Sequence, residues 1–443
     1  MKQKYFHRLT YESFRYKILR EYFNTSIIIN AFFCALLLSA FLYLEHFDFT
    51  FWALHVSLAL LGLALLFSQD SRGLFWTGFF LGIAWFYWIA LSFTYYGFGY
   101  LIPLGVLGIG LCYGFLFWIC GKFHESPWVK ASLFFGLGFI APFGFNWLDW
   151  RLLFINTPFN LSYFALGLIM AGVVWFLTCK GKKRVFSLLF FLFALEGTRP
   201  APFVLPFEIV LANSTIPQSQ KWDKNYQEAQ INAVFEDIHR AIQTNARAIV
   251  FPESALPLYL NLHPERIKEL QTLSFSIGIF IGALSAEKEG VYNSTYFFDQ
   301  GVLRVAHKVI LVPFGESIPF PRMIKEAINH FFYGGASDFL VAKRPSDFLV
   351  EGVALRNAIC FEATKPQLFA GNPRFMVASS NNAWFTPSIQ PTLQRLLLKL
   401  YASVHNTTIY HSANGSPSEV VYPKPSGPLA AIETLLQERL KAF

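Results

Sequence analysis

Charged side chains are scarce in this 443-residue chain. They make up 14% of it, against about 25% in a typical soluble domain, while hydrophobic residues account for 54%. This composition excludes an ordinary soluble protein and indicates a membrane protein. Residues 1–200 hold 15 basic and 8 acidic side chains, whereas residues 201–443 hold 21 and 20. A basic excess within the apolar half fits membrane topology better than nucleic-acid binding, so we expect no nucleic-acid partner.

Cysteine is sparse as well. Four of the five cysteines lie in apolar runs, and none belongs to a CxxC pair, which disfavours zinc and thioredoxin-like redox sites. Cys360 is the only cysteine after residue 179, so the C-terminal half has no partner for an internal disulfide. The sequence also lacks GxSxG, a phosphate-binding loop and HExxH. We therefore predict neither a metal nor a cofactor.

Seven apolar runs follow a polar, basic N-terminal segment. They lie at about 24–44, 50–67, 73–94, 100–120, 127–145, 159–179 and 185–196. A spanning helix requires about 20 residues, so the short last run has a buried or interfacial helix as its alternative. With the N-terminus inside, twelve basic residues fall in inside segments and two in outside loops, as the positive-inside rule requires. Seven spans would put everything after residue 200 on the outer face.

The pattern of apolar and polar residues changes after a proline-bearing linker at 197–206. Strands are predicted at 208–212, 246–251, 277–284, 353–361 and 375–379, a hairpin at 292–298 and 302–311, and an amphipathic helix at 225–244. Strands that alternate with helices predict an α/β domain. We divide the chain into a cytoplasmic basic N-terminus (1–23), a transmembrane domain of about seven helices (24–199), an α/β domain (207–427) and a short amphipathic C-terminal helix (428–443).

Three chemically useful side chains adjoin the apolar, strand-like stretches. Glu253 directly follows one stretch, Lys308 opens another, and Cys360 ends a third at a predicted elbow. Taken singly, each has an ordinary explanation as a helix cap, a solvated lysine or a small buried hydrophobe. Together they supply a base, a cation and a nucleophile, because a carboxylate can take the thiol proton and a nearby cation favours the thiolate.

The segments that carry these residues resemble the nitrilase superfamily. They read Phe-Pro-Glu-Ser at 251–254, His-Lys-Val-Ile-Leu-Val-Pro-Phe-Gly-Glu at 307–316, Ile-Cys-Phe-Glu at 359–362 and Ser-Asn-Asn-Ala-Trp-Phe at 380–385. A multi-span membrane half before such a domain resembles the apolipoprotein N-acyltransferases. The resemblance implies an α-helical transmembrane bundle followed by an αββα sandwich on the periplasmic side of the bacterial inner membrane. It also implies acyl transfer from a phospholipid, through a cysteine thioester, to the α-amino group of a diacylglyceryl apolipoprotein.

The same resemblance implies roles for individual residues. Glu253 matches the general base, Lys308 the oxyanion-stabilising lysine, and Cys360 the nucleophile. The residues implied to lie beside this triad or to contact substrate are Glu316, Phe361, Glu362, Trp222, Asn293, Asn381 and Trp384. Phe361 stands where tyrosine is common and His411 where arginine is common, and no final apolar run long enough to span follows the domain. We expect a monomer.

Two other functions compete with acyl transfer. A membrane-tethered amidase or nitrilase-like hydrolase would use the same triad with water as acceptor, and a non-catalytic membrane scaffold would need no triad. The apolar surroundings favour the transferase, and the presence of all three residue types disfavours the scaffold.

A further amphipathic pattern lies at 318–340. Apolar residues recur at helical spacing there, between Pro321 and Gly334. The pattern predicts a helix that either packs on the domain core or forms a mobile lid at the membrane interface.

Overall fold

The computed structural model describes residues 22–313, 315–317 and 338–429. Nearly all of the basic N-terminus, of the C-terminal helix and of the lid therefore lies outside the described residues. Those three predictions stay predictions.

Apolar helices form the N-terminal part of the molecule. They are α1 (Thr25–His46), α2 (Trp52–Ser68), α3 (Ser71–Phe86), α4 (Ile102–Lys122), α5 (Pro127–Leu137), α6 (Tyr163–Thr178) and α7 (Ser187–Phe193). Within the described ranges, three helical segments are long and apolar enough to cross a membrane: Thr25–His46, Ser71–Tyr96 and Gly99–Lys122. Trp52–Ser68 and Tyr163–Thr178 are apolar but shorter. The number of spans stays a prediction.

The apolar run 127–145 is helical only as far as Leu137. Pro142 and Gly144 follow and prevent a longer α-helix. Gly144 has a φ of +84°, a left-handed conformation that suits glycine. Residues 138–160, which we call the junction segment, contact the C-terminal half instead. Phe145, at the end of the apolar run, stacks on Phe361, and Trp147 Nε1 donates a hydrogen bond of 2.8 Å to Thr364 Oγ1. A stretch that reads as the end of a membrane helix thus joins the two halves of the protein.

Two five-stranded sheets form the C-terminal half. The first has the order β1 (Ile209–Leu211), β2 (Ala248–Val250), β3 (Gly278–Glu287), β4 (Gly290–Asp299), β5 (Val302–His307). The second contains β6 (Asp347–Val350), β7 (Val353–Ile359), β8 (Phe375–Asn381), β9 (Thr408–Asn414) and β10 (Glu419–Val421), in the order β10-β9-β8-β7-β6. In each sheet, three neighbouring strands are parallel: β1–β3 in the first and β7–β9 in the second.

The two sheets pack face to face between helices. One apolar cluster joins Phe280 and Phe297 of the first sheet to Phe348 and Val377 of the second. The helices of this half are α8 (Gln218–Lys221), α9 (Lys224–Gln243), α10 (Pro264–Leu273) and α11 (Gln390–His405). α9 and α10 pack on the outer face of the first sheet, and α11 packs on the outer face of the second. The predicted αββα sandwich is confirmed.

Helix α11 also belongs to the membrane part of the core. Its Leu393, Leu396 and Leu400 lie in one continuous apolar cluster with Leu38 of α1 and Trp150 of the junction segment. Two polar contacts accompany this packing: Arg395 Nη2 lies 2.8 Å from Glu45 Oε1, and Lys399 Nζ donates to Asn156 Oδ1 over 2.9 Å. The two halves of the protein therefore share a core.

Most predicted elements are present with shifted ends. The hairpin strand predicted to reach Leu311 ends at His307, because Glu362 Oε2 accepts the backbone N–H groups of Val309 and Ile310 and draws them out of the sheet. The sequence predictions do not cover α8, α10, α11, β6, β9 and β10.

Candidate active site

Cys360 lies at a sharp elbow directly after β7. Its φ is +56°, a conformation that non-glycine residues seldom adopt, and a 3₁₀ turn over Cys360–Thr364 follows. The predicted elbow is confirmed. Strained backbone of this kind clusters at functional sites, where the surrounding structure enforces it.

Lys308 is fully buried between two glutamates. Its Nζ lies 2.8 Å from Glu316 Oε1 and 3.4 Å from Glu253 Oε1. Glu253 follows β2, Lys308 follows β5, and Cys360 follows β7. These strand ends bring Cys360 into electrostatic contact with Glu253 and Lys308. The carboxyl ends of parallel strands are the usual place for ligand sites in α/β sheets.

Two asparagines hold the glutamates in place. Asn293 Nδ2 donates to Glu253 Oε1 over 2.7 Å and to Glu316 Oε1 over 3.0 Å. The backbone N–H of Asn381 donates to Glu253 Oε2 over 3.0 Å. The side chain of Asn381 is hydrogen-bonded to the side chains of Gln218 and Asn414. Both asparagines therefore orient Glu253, while their predicted contact with substrate stays a prediction.

Glu362 is fully buried and ties the cysteine elbow to the lysine strand. Its Oε1 accepts the N–H of Ile359 over 2.8 Å, and its Oε2 accepts the N–H of Val309 over 2.7 Å. Burial raises the pKa of Glu362 to about 7, against the opposing effects of Lys308 and of the backbone donors. The residues just before Cys360 and just after Lys308 are thus held by one carboxyl group.

The electrostatics of the site keep the cysteine protonated at rest. Burial raises the pKa of the Cys360 thiol and Glu253 raises it further, while Lys308 opposes both. For Lys308 burial lowers the pKa, but Glu316 and Glu253 more than reverse that effect and leave it above its ordinary value. The resting site therefore holds a neutral thiol and a charged ammonium group. A base must take the thiol proton before the sulfur can attack.

Three neutral side chains, those of Gln394, Ser380 and His411, form a hydrogen-bonded line that ends at Cys360. Gln394 Nε2 lies 4.0 Å from Cys360 Sγ and donates to Ser380 Oγ over 3.2 Å. His411 Nε2 lies 2.9 Å from the same Ser380 oxygen. Burial lowers the pKa of His411 to about 4, so its imidazole is neutral. Gln394 belongs to no motif. The sequence signals for this part of the site are Ser380, which begins the Ser-Asn-Asn-Ala-Trp-Phe segment, and the histidine at 411.

Aromatic rings from both halves of the protein meet beside the elbow. Phe361 stacks on Phe145 at a centroid distance of 5.7 Å, and Trp147 lies 5.9 Å away. Trp384 stacks on Tyr96 at 6.1 Å. Trp88 contacts both Phe145 and Phe385, so Phe361 and Trp384, two of the residues predicted to contact substrate, belong to one aromatic wall shared with the membrane part.

Trp222 lies apart from this wall. It follows α8 and is 44% exposed. Its neighbour Lys221 is buried, and its Nζ has no hydrogen-bond partner among the described residues. The role of Trp222 in substrate binding stays a prediction.

Comparison with known proteins places the chain in a family. Residues 25–197 match the integral membrane domain of apolipoprotein N-acyltransferases. The apolipoprotein N-acyltransferase of Wolinella succinogenes is 44% identical over 89% of this chain and 95% of its own length. That of Helicobacter pylori is 37% identical over 83% and 87%. An amidase of the nitrilase superfamily from Nesterenkonia is 14% identical with a TM-score of 0.35, covering 50% of this chain and 82% of its own, which is too distant to bear on function. On the strength of its relatives, the chain belongs to the apolipoprotein N-acyltransferase family.

Proposed function

We propose that this acyltransferase moves an acyl chain from a phospholipid to the α-amino group of a diacylglyceryl apolipoprotein, with Cys360 as the covalent carrier. The observation that carries the proposal is the fully buried Lys308 between Glu253 and Glu316, in electrostatic contact with the thiol at the elbow. Base, cation and nucleophile are thereby available to one reacting carbonyl.

In the first half-reaction, Glu253 takes the thiol proton while Cys360 Sγ attacks the ester carbonyl of the phospholipid. Lysine has three N–H donors, and two of them face the glutamates, so the third remains for the oxyanion. When the tetrahedral intermediate collapses, the C–O ester bond breaks. The proton on Glu253 then passes to the departing lysophospholipid oxygen, which leaves a thioester on Cys360.

In the second half-reaction, the apolipoprotein amine attacks the thioester carbonyl. Glu253 accepts the proton that the amine loses, and Lys308 again stabilises the oxyanion. The C–S bond breaks, the amide product leaves, and the thiolate recovers its proton from Glu253. A double-displacement rate pattern should result.

The aromatic wall favours acyl transfer over amide hydrolysis. Phe361, next to the proposed nucleophile, stacks on Phe145 of the junction segment, so the membrane part packs directly against the turn that bears Cys360. Such a wall suits an acyl chain. A water-using amidase has no need of a membrane half that contributes to its site.

We also propose that the catalytic half, 207–427, lies on the periplasmic side of the inner membrane, with residues 24–199 as the transmembrane domain. The asymmetry of basic loop residues supports this orientation. A reporter fused after residue 200 should be active only if it works outside the inner membrane. Activity of a cytoplasm-only reporter at that position would mean that one span is miscounted.

The thioester is tested by mass spectrometry of the peptide that contains Cys360. After incubation with phospholipid, wild-type protein should carry one acyl group there and release lysophospholipid in equal amount. Cys360→Ala should do neither, whereas Cys112→Ala, which removes another partly exposed cysteine, should do both. Normal lysophospholipid release by Cys360→Ala would refute the proposed function.

A further inference from the structure

We propose that Gln394 stabilises and positions the thiolate of Cys360, and that Ser380 and His411 hold Gln394 in place for this task. This inference rests on the proposed role of Cys360 as the nucleophile. Gln394 gives the sulfur an uncharged neighbour, in contrast to the charged side chains of the glutamates and Lys308.

The placement of Gln394 is unusual for a glutamine. It is 1% exposed, on the face of α11 that packs with Leu393 and Leu397 into an apolar cluster. A buried amide is costly unless its donors and acceptor are paired. Gln394 Nε2 has Ser380 and the sulfur within reach, but Oε1 has no partner in the described part of the chain. Helix packing alone therefore does not explain an amide at this position.

The neighbours of Gln394 restrict it to one arrangement. Ser380 is fully buried on β8 and His411 is 3% exposed on β9, and their side chains are 2.9 Å apart. Because His411 is neutral, the line from His411 to Gln394 brings no charge to the thiol. It holds one amide N–H group beside Sγ at 4.0 Å, within hydrogen-bonding reach of a sulfur acceptor.

An N–H donor at this position acts differently on the two states of the sulfur. A thiolate accepts a hydrogen bond from an amide far better than a neutral thiol does. Gln394 therefore favours the sulfur both as the attacking group in the first half-reaction and as the leaving group in the second. The other groups that act on the sulfur are the charged or titratable Glu253, Lys308 and Glu316 and the neutral backbone N–H of Asn381. Glu362 lies on the same turn.

The test is alkylation of Cys360 by iodoacetamide in the full-length, detergent-solubilised protein. Only the thiolate reacts, and peptide mass spectrometry separates Cys360 from the four other cysteines. Gln394→Met keeps the length of the side chain and removes the donor. We expect alkylation about tenfold slower at any pH below the thiol pKa, since a hydrogen bond to a charged group is worth about that factor. A purely structural role would leave the rate unchanged or, by loosening the pocket, increase it.

Two further variants secure the result. Gln394→Glu keeps size and polarity but adds a negative charge, so it should be alkylated more slowly still, even if Gln394→Met folds poorly. Gln390→Met is the matched control, because Gln390 is a buried glutamine one turn earlier on α11 whose Nε2 contacts Asn382 instead. It should be alkylated at the wild-type rate. Wild-type rates in both Gln394 variants would overturn this inference. They would leave the proposed function intact, because that depends on acylation of Cys360 and not on its rate of alkylation.

Discussion

Lys308 and Lys365 are both buried, yet they lie in opposite kinds of surroundings. Lys308 contacts two glutamates. Lys365 is 5% exposed, donates hydrogen bonds to Asn146 Oδ1 and to the carbonyl oxygen of Gly144, and lies 3.8 Å from the centroid of the Phe361 ring. Burial lowers the pKa of Lys365 to about 7, whereas the glutamates keep that of Lys308 above its ordinary value. The partners of a buried lysine, more than its burial, decide whether it is charged.

The difference matches the role that we propose for each region. An oxyanion needs a permanent cation, and the polar network around Lys308 provides one at neutral pH. The junction with the membrane part is built from aromatic rings and neutral hydrogen bonds, and there a lysine contributes a donor and an aliphatic stem rather than a fixed charge. Changing each lysine in turn should therefore separate catalysis from docking.

The largest expected effect is that of replacing Lys308 on the rate of acylation. In the proposed mechanism, Lys308→Met removes the cationic donor to the oxyanion, and losing one such donor typically costs about a hundred- to a thousandfold. The measurement is single-turnover release of lysophospholipid. Lys365→Met is the matched control and should stay within about tenfold of wild type. A near-normal rate in Lys308→Met would mean that Lys308 is a structural counter-ion only.

The network around Lys308 should also govern stability. Lys308→Met leaves Glu253 and Glu316 close together without a cation, which should lower the free energy of unfolding by about 3–5 kcal/mol. Adding Glu316→Gln removes one of the two like negative charges. The double variant should recover much of the stability but none of the activity. Thermal unfolding of the single and double variants measures this. Additive losses would show that the two side chains do not interact.

The charged side of the site was predictable from the sequence, because Glu253, Lys308 and Cys360 each adjoin an apolar strand within a recognisable motif. The neutral side was not. Gln394 lies on a helix that no sequence prediction covers, and its contact with Sγ depends on how α11 crosses the second sheet. The junction segment could not be predicted for another reason. Residues 138–145 are apolar enough for a membrane helix, and Pro142 and Gly144 are weak signs of a break.

A smaller loss should follow from changing Glu362, which links the two strand ends. Its two oxygens accept three backbone N–H groups, and Glu362→Gln replaces one oxygen with an NH₂ group that faces donors. We expect a cost of about 1–3 kcal/mol in unfolding free energy, together with slower acylation. Glu351→Gln, which disturbs only a pair between an exposed glutamate and Arg247, should cost at most about 1 kcal/mol. Equal losses in the two variants would contradict a linking role for Glu362.

The smallest expected effect is a pH dependence at Lys365. With a pKa of about 7 in the folded protein and about 10.5 when unfolded, Lys365 binds a proton between these values only in the unfolded chain. The wild-type contribution of this residue to stability therefore rises as the pH increases from about 7 towards 10. Lys365→Met lacks that term. The melting temperature of wild type minus that of Lys365→Met should thus increase by about 2–4 °C between pH 7 and 9.5. The same difference for Lys268→Met, at an exposed position, should stay flat. A flat difference for Lys365→Met as well would mean that the Phe361 ring holds the ammonium charged, because a cation–π contact favours the protonated form. Lys365 would then resemble Lys308, and the contrast between the two regions would fail.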